Sequence, residues 1–175
     1  MGSAMLYAFL QAKDTRESCC SWGNPNKKVN IERLNGYQAG MEEAGLPVTP
    51  ENIVNIFGDS TQAYTMAQAI MGLPDDKRPT AIFTTSDKIA IKAISRIMDK
   101  GYKVPDDISV MSFDSQNHFE EEYKGPLLSG IKQPLYDVGY ESLKAISDIM
   151  DGKIKTPYSK TYETTIQIGE TVKEL

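Results

Sequence analysis

A doubly wound α/β fold on a parallel sheet is predicted by two features of the chain. From residue 18 onward, short β-rich runs alternate with amphipathic helical patterns. Each helical pattern also stops at a glycine, at Gly45, Gly72, Gly101 and Gly152. The composition, 175 residues with 40% apolar and 25% charged side chains, suits one domain, or a domain with a fragment of its neighbour, able to bury a core without staples.

The elements follow in order. Residues 18–22 form a short strand, and residues 30–44 a helix that carries Ile31, Leu34 and Met41 inward. Gly45 supplies its left-handed cap and Pro47 its stop. A strand over 53–57 leads through Gly58-Asp59-Ser60-Thr61 into a helix over 61–71. The next step pairs a strand over 80–84 with a helix over 88–100, for which Ser86 or Asp87 is the N-cap. Its core face is Ile89, Ala90, Ala93, Ile94, Ile97 and Met98. A turn at 104–107 precedes a strand over 108–113, then an amphipathic helix spans 135–150 and a β-branched run over 161–168 closes the chain. Such an order implies a parallel sheet, helices on both faces and right-handed crossovers.

Charge and chemistry exclude several functions. A net charge of −5 leaves no basic field to displace counterions from nucleic acid, so any DNA contact belongs to segments outside this chain. No apolar run is long enough to span a bilayer, and the first residues lack the basic and cleavage regions of a secretory signal, so a cytoplasmic location is expected. Adjacent Cys19 and Cys20 read as buried thiols, since a bridge between neighbours is strained. With His118 as the single histidine, placed in a loop, neither a triad nor a histidine-rich metal site can be assembled. Glu120-Glu121-Glu122 reads as a solvated run. No enzyme activity, metal or cofactor is expected.

In an open parallel sheet the ligand crevice lies beyond the carboxyl ends of the strands. Here those ends are 22–26, 58–61, 84–87 and 114–117, rich in hydroxyls, amides and carboxylates that suit a polyhydroxylated ligand, with Trp22 able to stack on a sugar face. Each candidate has a plainer role as well. Ser60, Ser86 and Asp87 stand where N-caps belong, Trp22 suits a core, and Arg33 suits a solvated helix surface.

Several motifs in order resemble the effector-binding domain of the lactose-repressor (LacI/GalR) family of bacterial transcription regulators. They are ERLNGYQAGMEEAGL at 32–46, IFGDST at 56–61, RPTAIFTTSDKIAIKAI at 78–94, GYKVPDDISVMSFDS at 101–115 and GIKQPLYDVGYESL at 130–143. Departures fall at the ends: Asp14 and Thr15 replace a usual Gly-His, and Gly169 precedes Glu170-Thr171-Val172 where the family has arginine.

The resemblance implies a Rossmann-like, periplasmic-binding-protein-like C-terminal subdomain over 18–130. Residues 1–17, with a helix near 3–13, would be a remnant of the N-terminal subdomain; 131–158 would be a helix packing on that subdomain, and 159–175 a return strand and tail. It also implies an effector-sensing, non-catalytic domain whose small polar ligand, a sugar or similar, is held in the cleft by Arg33, Asp87 and Asp114; Ser60 and Trp22 join the candidate set from their places at strand ends. Ser60 stands where many relatives carry an aromatic. Ligand closure would alter the spacing of two DNA-binding heads that this chain lacks. A homodimer is expected through the helices bearing Tyr64, Met71 and Ile91, apolar residues outside the core stripes. The alternative is a sugar-binding protein of a transporter, built on the same fold.

Overall fold

The computed structural model describes residues 26–46, 48–56, 61–115 and 123–173 in full, and residues 18–22 and 60 by backbone alone. The elements are β1 (Ser18–Trp22), α1 (Lys28–Glu43), a 3-10 turn (Pro50–Asn52), β2 (Ile53–Asn55), α2 (Ser60–Met71), β3 (Ala81–Thr84), α3 (Asp87–Asp99), β4 (Ser109–Phe113), β5 (Ser129–Lys132), α4 (Leu135–Met150) and β6 (Thr165–Gln167). They build one six-stranded sheet in the order β2-β1-β3-β4-β5-β6. The first five strands are parallel, as their helical crossovers require.

Two features depart from the expected sheet. β5 is not among the expected strands, because Ser-Gly-Ile-Lys is too short and too little branched to signal one, and its residues entered only as part of the GIKQP motif. The last strand is reduced to Thr165–Gln167 and runs antiparallel to β5, so the sheet ends in an antiparallel edge. The expected helix at 3–13, His118 and the run Glu120–Glu122 lie outside the described residues, as do the side chains of Cys19 and Cys20.

Alternation along the strands feeds two cores. Ile82 and Val110 point to one face, where Ala63, Met66, Ala67, Ile70 and Met71 of α2 meet Ala90, Ala93, Ile94 and Ile97 of α3. The alanines let the two helices approach closely, and burying each large aliphatic side chain contributes about 1.5–3 kcal/mol. On the other face Ala81, Phe83 and Met111 receive Tyr37 and Met41 of α1, with the Tyr37 and Phe83 rings stacked at 6.0 Å.

The buried residues of α1 are Tyr37, Gly40 and Met41, with Leu34 and the capping Ala44 partly buried, and Ile31, expected inward, is 40% exposed. On α3 the expectation reverses at two positions: Met98 is exposed and Ile91 is buried. A helix gripped by both a sheet and a neighbouring helix buries a wider arc than a single stripe. Met71 is buried for the same reason, in the shared core. Of the three residues expected at a dimer contact, Tyr64 alone is exposed, and its ring and hydroxyl are engaged by Arg96.

Helix ends follow their glycines. Gly45 and Gly101 adopt φ of +71° and +85°. The next residues turn back, with Leu46 N–H on Met41 O at 2.9 Å and Tyr102 N–H on Ile97 O at 3.2 Å, the paired closure that glycine permits.

At the amino-terminal edge of the sheet the C-terminal segment acts as a strap. The Thr171 hydroxyl donates to Val110 O (2.7 Å) and accepts from Ser129 N–H (2.9 Å), joining β4 to β5. Ser129 Oγ accepts from Gly169 N–H, and Ser109 Oγ from Lys173 N–H. A Cβ at Gly169 would collide with the Leu127 carbonyl oxygen, so the strap lies too close for the arginine usual in the resembling family. Helix α4 is the opposite case: none of its residues is buried, and Tyr136, Tyr140, Leu143, Ile146 and Met150 are exposed.

Gly169→Ala is expected to cost about 1–3 kcal/mol, because backbone must move to admit the methyl group. Gly36→Ala, with nothing within 4 Å and inside α1, is expected to gain about 0.5–1 kcal/mol. Denaturant unfolding of both variants checks the contrast. In hydrogen exchange of this chain, the amides of α4 are expected to exchange at least about ten-fold faster than those of α3, since a helix of this length without tertiary burial is marginal in water.

Candidate ligand site at the carboxyl edge of the sheet

The strand order reverses between β1 and β3: β1 lies between β2 and β3, and the helices that follow β1 and β3 pack on opposite faces. Such a reversal opens a crevice at the carboxyl edge. Arg33 enters it from the α1 side. It stands one turn ahead of Tyr37 in the helix's inward column, so its side chain leans over the end of the sheet where Tyr37 packs against the middle.

The guanidinium spans three elements. Nη1 donates to the carbonyl of Thr85, just past β3, at 2.6 Å, and Nη2 faces Asp114 Oδ2, just past β4, at 3.4 Å. The plane lies over the Phe113 ring, 4.0 Å from its centroid. The side chain is 14% exposed, so Arg33 is not a solvated surface cation. Burial pulls its pKa below the ordinary arginine value, while Asp114, and after it Asp87, push it back up. It remains a cation, as guanidinium does in proteins.

Asp114 is the sole described non-glycine residue with positive φ, at +73°. Aspartate tolerates the left-handed region better than most residues, and here that turn swings the carboxylate back over the sheet edge toward Arg33. Its other oxygen accepts a short hydrogen bond from Gln133 Nε2. Gln133 follows β5 and was not among the residues singled out from sequence. The I-x-Q-P motif was the available signal, but its strand was invisible, so nothing placed the amide at this edge.

Asp87 is buried at the first position of α3, with Oδ1 accepting Lys88 N–H at 2.8 Å and lying 3.4 Å from Ser86 Oγ. Ser86 holds the N-cap position without a side-chain cap bond. Of the two residues expected at the cap, Ser86 takes the position and Asp87, from inside the helix, supplies the accepting carboxylate. Beneath it, the Thr84 and Ser112 hydroxyls meet at 3.0 Å, and Ser112 Oγ donates to Phe113 O at 2.9 Å. Trp22 ends β1 and Ser60 opens α2, both at the same edge by topology; their side chains are outside the described set. The structure thus brings Arg33, Asp114 and Gln133 into one network, with Asp87 in electrostatic reach of Arg33. Among the described residues no cluster of His, Cys, Asp and Glu could hold a metal, and no helix is long and apolar enough to cross a membrane.

Comparison with known proteins adds the lineage. The sequence pattern of the periplasmic binding protein-like domain matches residues 9–172. The HTH-type transcriptional repressor PurR of Vibrio parahaemolyticus is 33% identical over 174 residues, covering 99% of this chain and 51% of the relative. The chain thus spans about half the length of the curated relatives it matches. A regulatory protein of the LacI family from Chloroflexus aggregans shares the fold with a TM-score of 0.84 at 22% identity, covering 98% of this chain and 62% of that one. The transcriptional regulator CelR, solved as a cellobiose complex, does so at 0.77 and 21% identity, covering 95% of this chain and 51% of its own. With a domain match over nearly its whole length, the chain belongs to the periplasmic binding protein-like domain family.

Proposed function

We propose that this chain is the effector-sensing domain of a LacI-type transcription regulator. It binds a small polar ligand, a sugar or similar polyhydroxylated molecule, and catalyses nothing. The observation that carries this reading is the Arg33–Asp114–Gln133 network at the strand-order reversal. A guanidinium donates from a fixed fork, a carboxylate accepts from two neighbouring hydroxyls, and an amide does both. Asp87 adds a second acceptor, and Ser60 and Trp22 stand at the same edge. Each group rests on a strand end or helix start, so the site is organised before ligand arrives.

In the relatives the matching region is about half the chain. A second wall closing over this edge would bury the ligand and supply most of its affinity. Preferential binding to the closed arrangement then shifts the angle between the two walls, and with it the spacing of paired DNA-binding heads. Two heads require two copies. Their contact does not run through Met71 or Ile91, which the chain buries itself; the α2–α3 face bearing Tyr64 and Arg96 remains available. A transporter's sugar-binding protein is the second reading. The domain family's description favours it, and the repressor relatives weigh against it.

Arg33→Ala and Asp114→Asn are each expected to weaken binding of the best sugar from a panel at least about ten-fold, since hydrogen bonds to charged groups are worth about 1.5–3 kcal/mol. Asparagine accepts the left-handed backbone of Asp114, so its variant keeps the fold, which circular dichroism checks. Gln133→Ala is expected to lose less. Titration calorimetry on the longest reading frame containing this chain measures all three, and unchanged affinity in the first two would remove the site. The regulator reading also requires that reading frame to bind a DNA operator with an affinity that the same sugar alters. Sugar binding without any operator binding would leave the transporter reading in its place.

A further inference from the structure

We propose that the ligand of this site is uncharged at the end seated on Arg33, and that the site discriminates against phosphorylated or carboxylated forms of it. This rests on the site reading above and narrows the ligand class. A parallel sheet offers an anion two devices at its carboxyl edge: cationic side chains and the amide-lined starts of helices. At the centre of this crevice the protein's own oxygens face Nη1 and Nη2 of Arg33, though not its Nε, and take one amide at the start of α3.

The Arg33 fork is turned onto the Thr85 carbonyl at 2.6 Å and the Asp114 carboxylate at 3.4 Å, with the Phe113 ring against its face. At the start of α3, the amide of Lys88 is taken by the Asp87 carboxylate at 2.8 Å. Both carboxylates act on the one guanidinium, so these three side chains carry one more negative than positive charge. Asp87 is 9% exposed, and the Arg33 and Asp114 side chains are 14% and 23% exposed, so water screens the excess poorly.

A phosphate seated there would bring a third anion beside two carboxylates, or would have to displace one from its partner. A hydroxyl needs neither, since it can donate to a carboxylate and accept from the guanidinium at once. The other described cations near this edge, Lys27, Lys28, Lys88 and Lys132, are exposed, and Lys28 pairs with Glu32 at 3.5 Å.

Titration calorimetry with matched pairs decides the matter: ribose against ribose 5-phosphate, glucose against glucose 6-phosphate, and inorganic phosphate alone. The protein is the longest reading frame containing this chain, with Arg33→Ala and Asp87→Asn alongside. The expected result is that the unphosphorylated member of a binding pair is at least ten-fold tighter, that inorganic phosphate does not compete with it, and that Asp87→Asn narrows the gap several-fold. A phosphorylated member binding equally or more tightly, with both members lost in Arg33→Ala, would overturn the charge discrimination and leave the site reading intact. If no pair binds, or if Arg33→Ala leaves every affinity unchanged, the site reading itself fails and the discrimination falls with it.

Discussion

One side chain joins the layers of this molecule at the place where function is expected. Arg33 belongs to α1 on one face of the sheet, yet its guanidinium ends on groups that follow β3 and β4. Removing a guanidinium from water is costly, and a lone ion pair often fails to repay it. Here the cost is shared among a carbonyl at 2.6 Å, a carboxylate at 3.4 Å and an aromatic face at 4.0 Å. The arrangement holds because the groups that receive Arg33 are themselves held: Thr85 by the turn into α3, Asp114 by its left-handed backbone and the Gln133 amide.

The two edges of the sheet divide the labour. At the amino-terminal edge, backbone and hydroxyl bonds from the strap at 169–173 lock β4 and β5 together, and the close pass of Gly169 over Leu127 O leaves no room for a side chain. At the carboxyl edge the corresponding strand ends carry Asp114 and Gln133. A relative shift of β4 and β5 would pull those two groups apart, so the strap acts on the site from the far end of the strands. Helix α4 is the exception, with no buried residue. Its return segment is tied by Lys160 to Glu141, but its apolar residues face outward. Among the described residues nothing buries that apolar face.

Much was determined by the sequence itself. Alternation and glycine stops located α1, α2, α3, β3 and β4 to within a residue or two, and α4 to the residue, because hydrophobic period and left-handed caps are local properties of the chain. The motif order identified the family, and it pointed to Arg33, Asp87 and Asp114 as a set. What tertiary structure alone decided was which surfaces meet. Ile91 and Met71 are buried because the width of a helix's buried arc depends on how many neighbours grip it, not on its own pattern, and Ile31 and Met98 fall outside the gripped arcs. β5 and its Gln133 entered the site through pairing with β4, a contact between residues far apart in the chain with no local signature. That Arg33 is a buried bridge rather than a solvated surface charge depended on strand order, because it required the ends of β3 and β4 to lie beneath the second turn of α1.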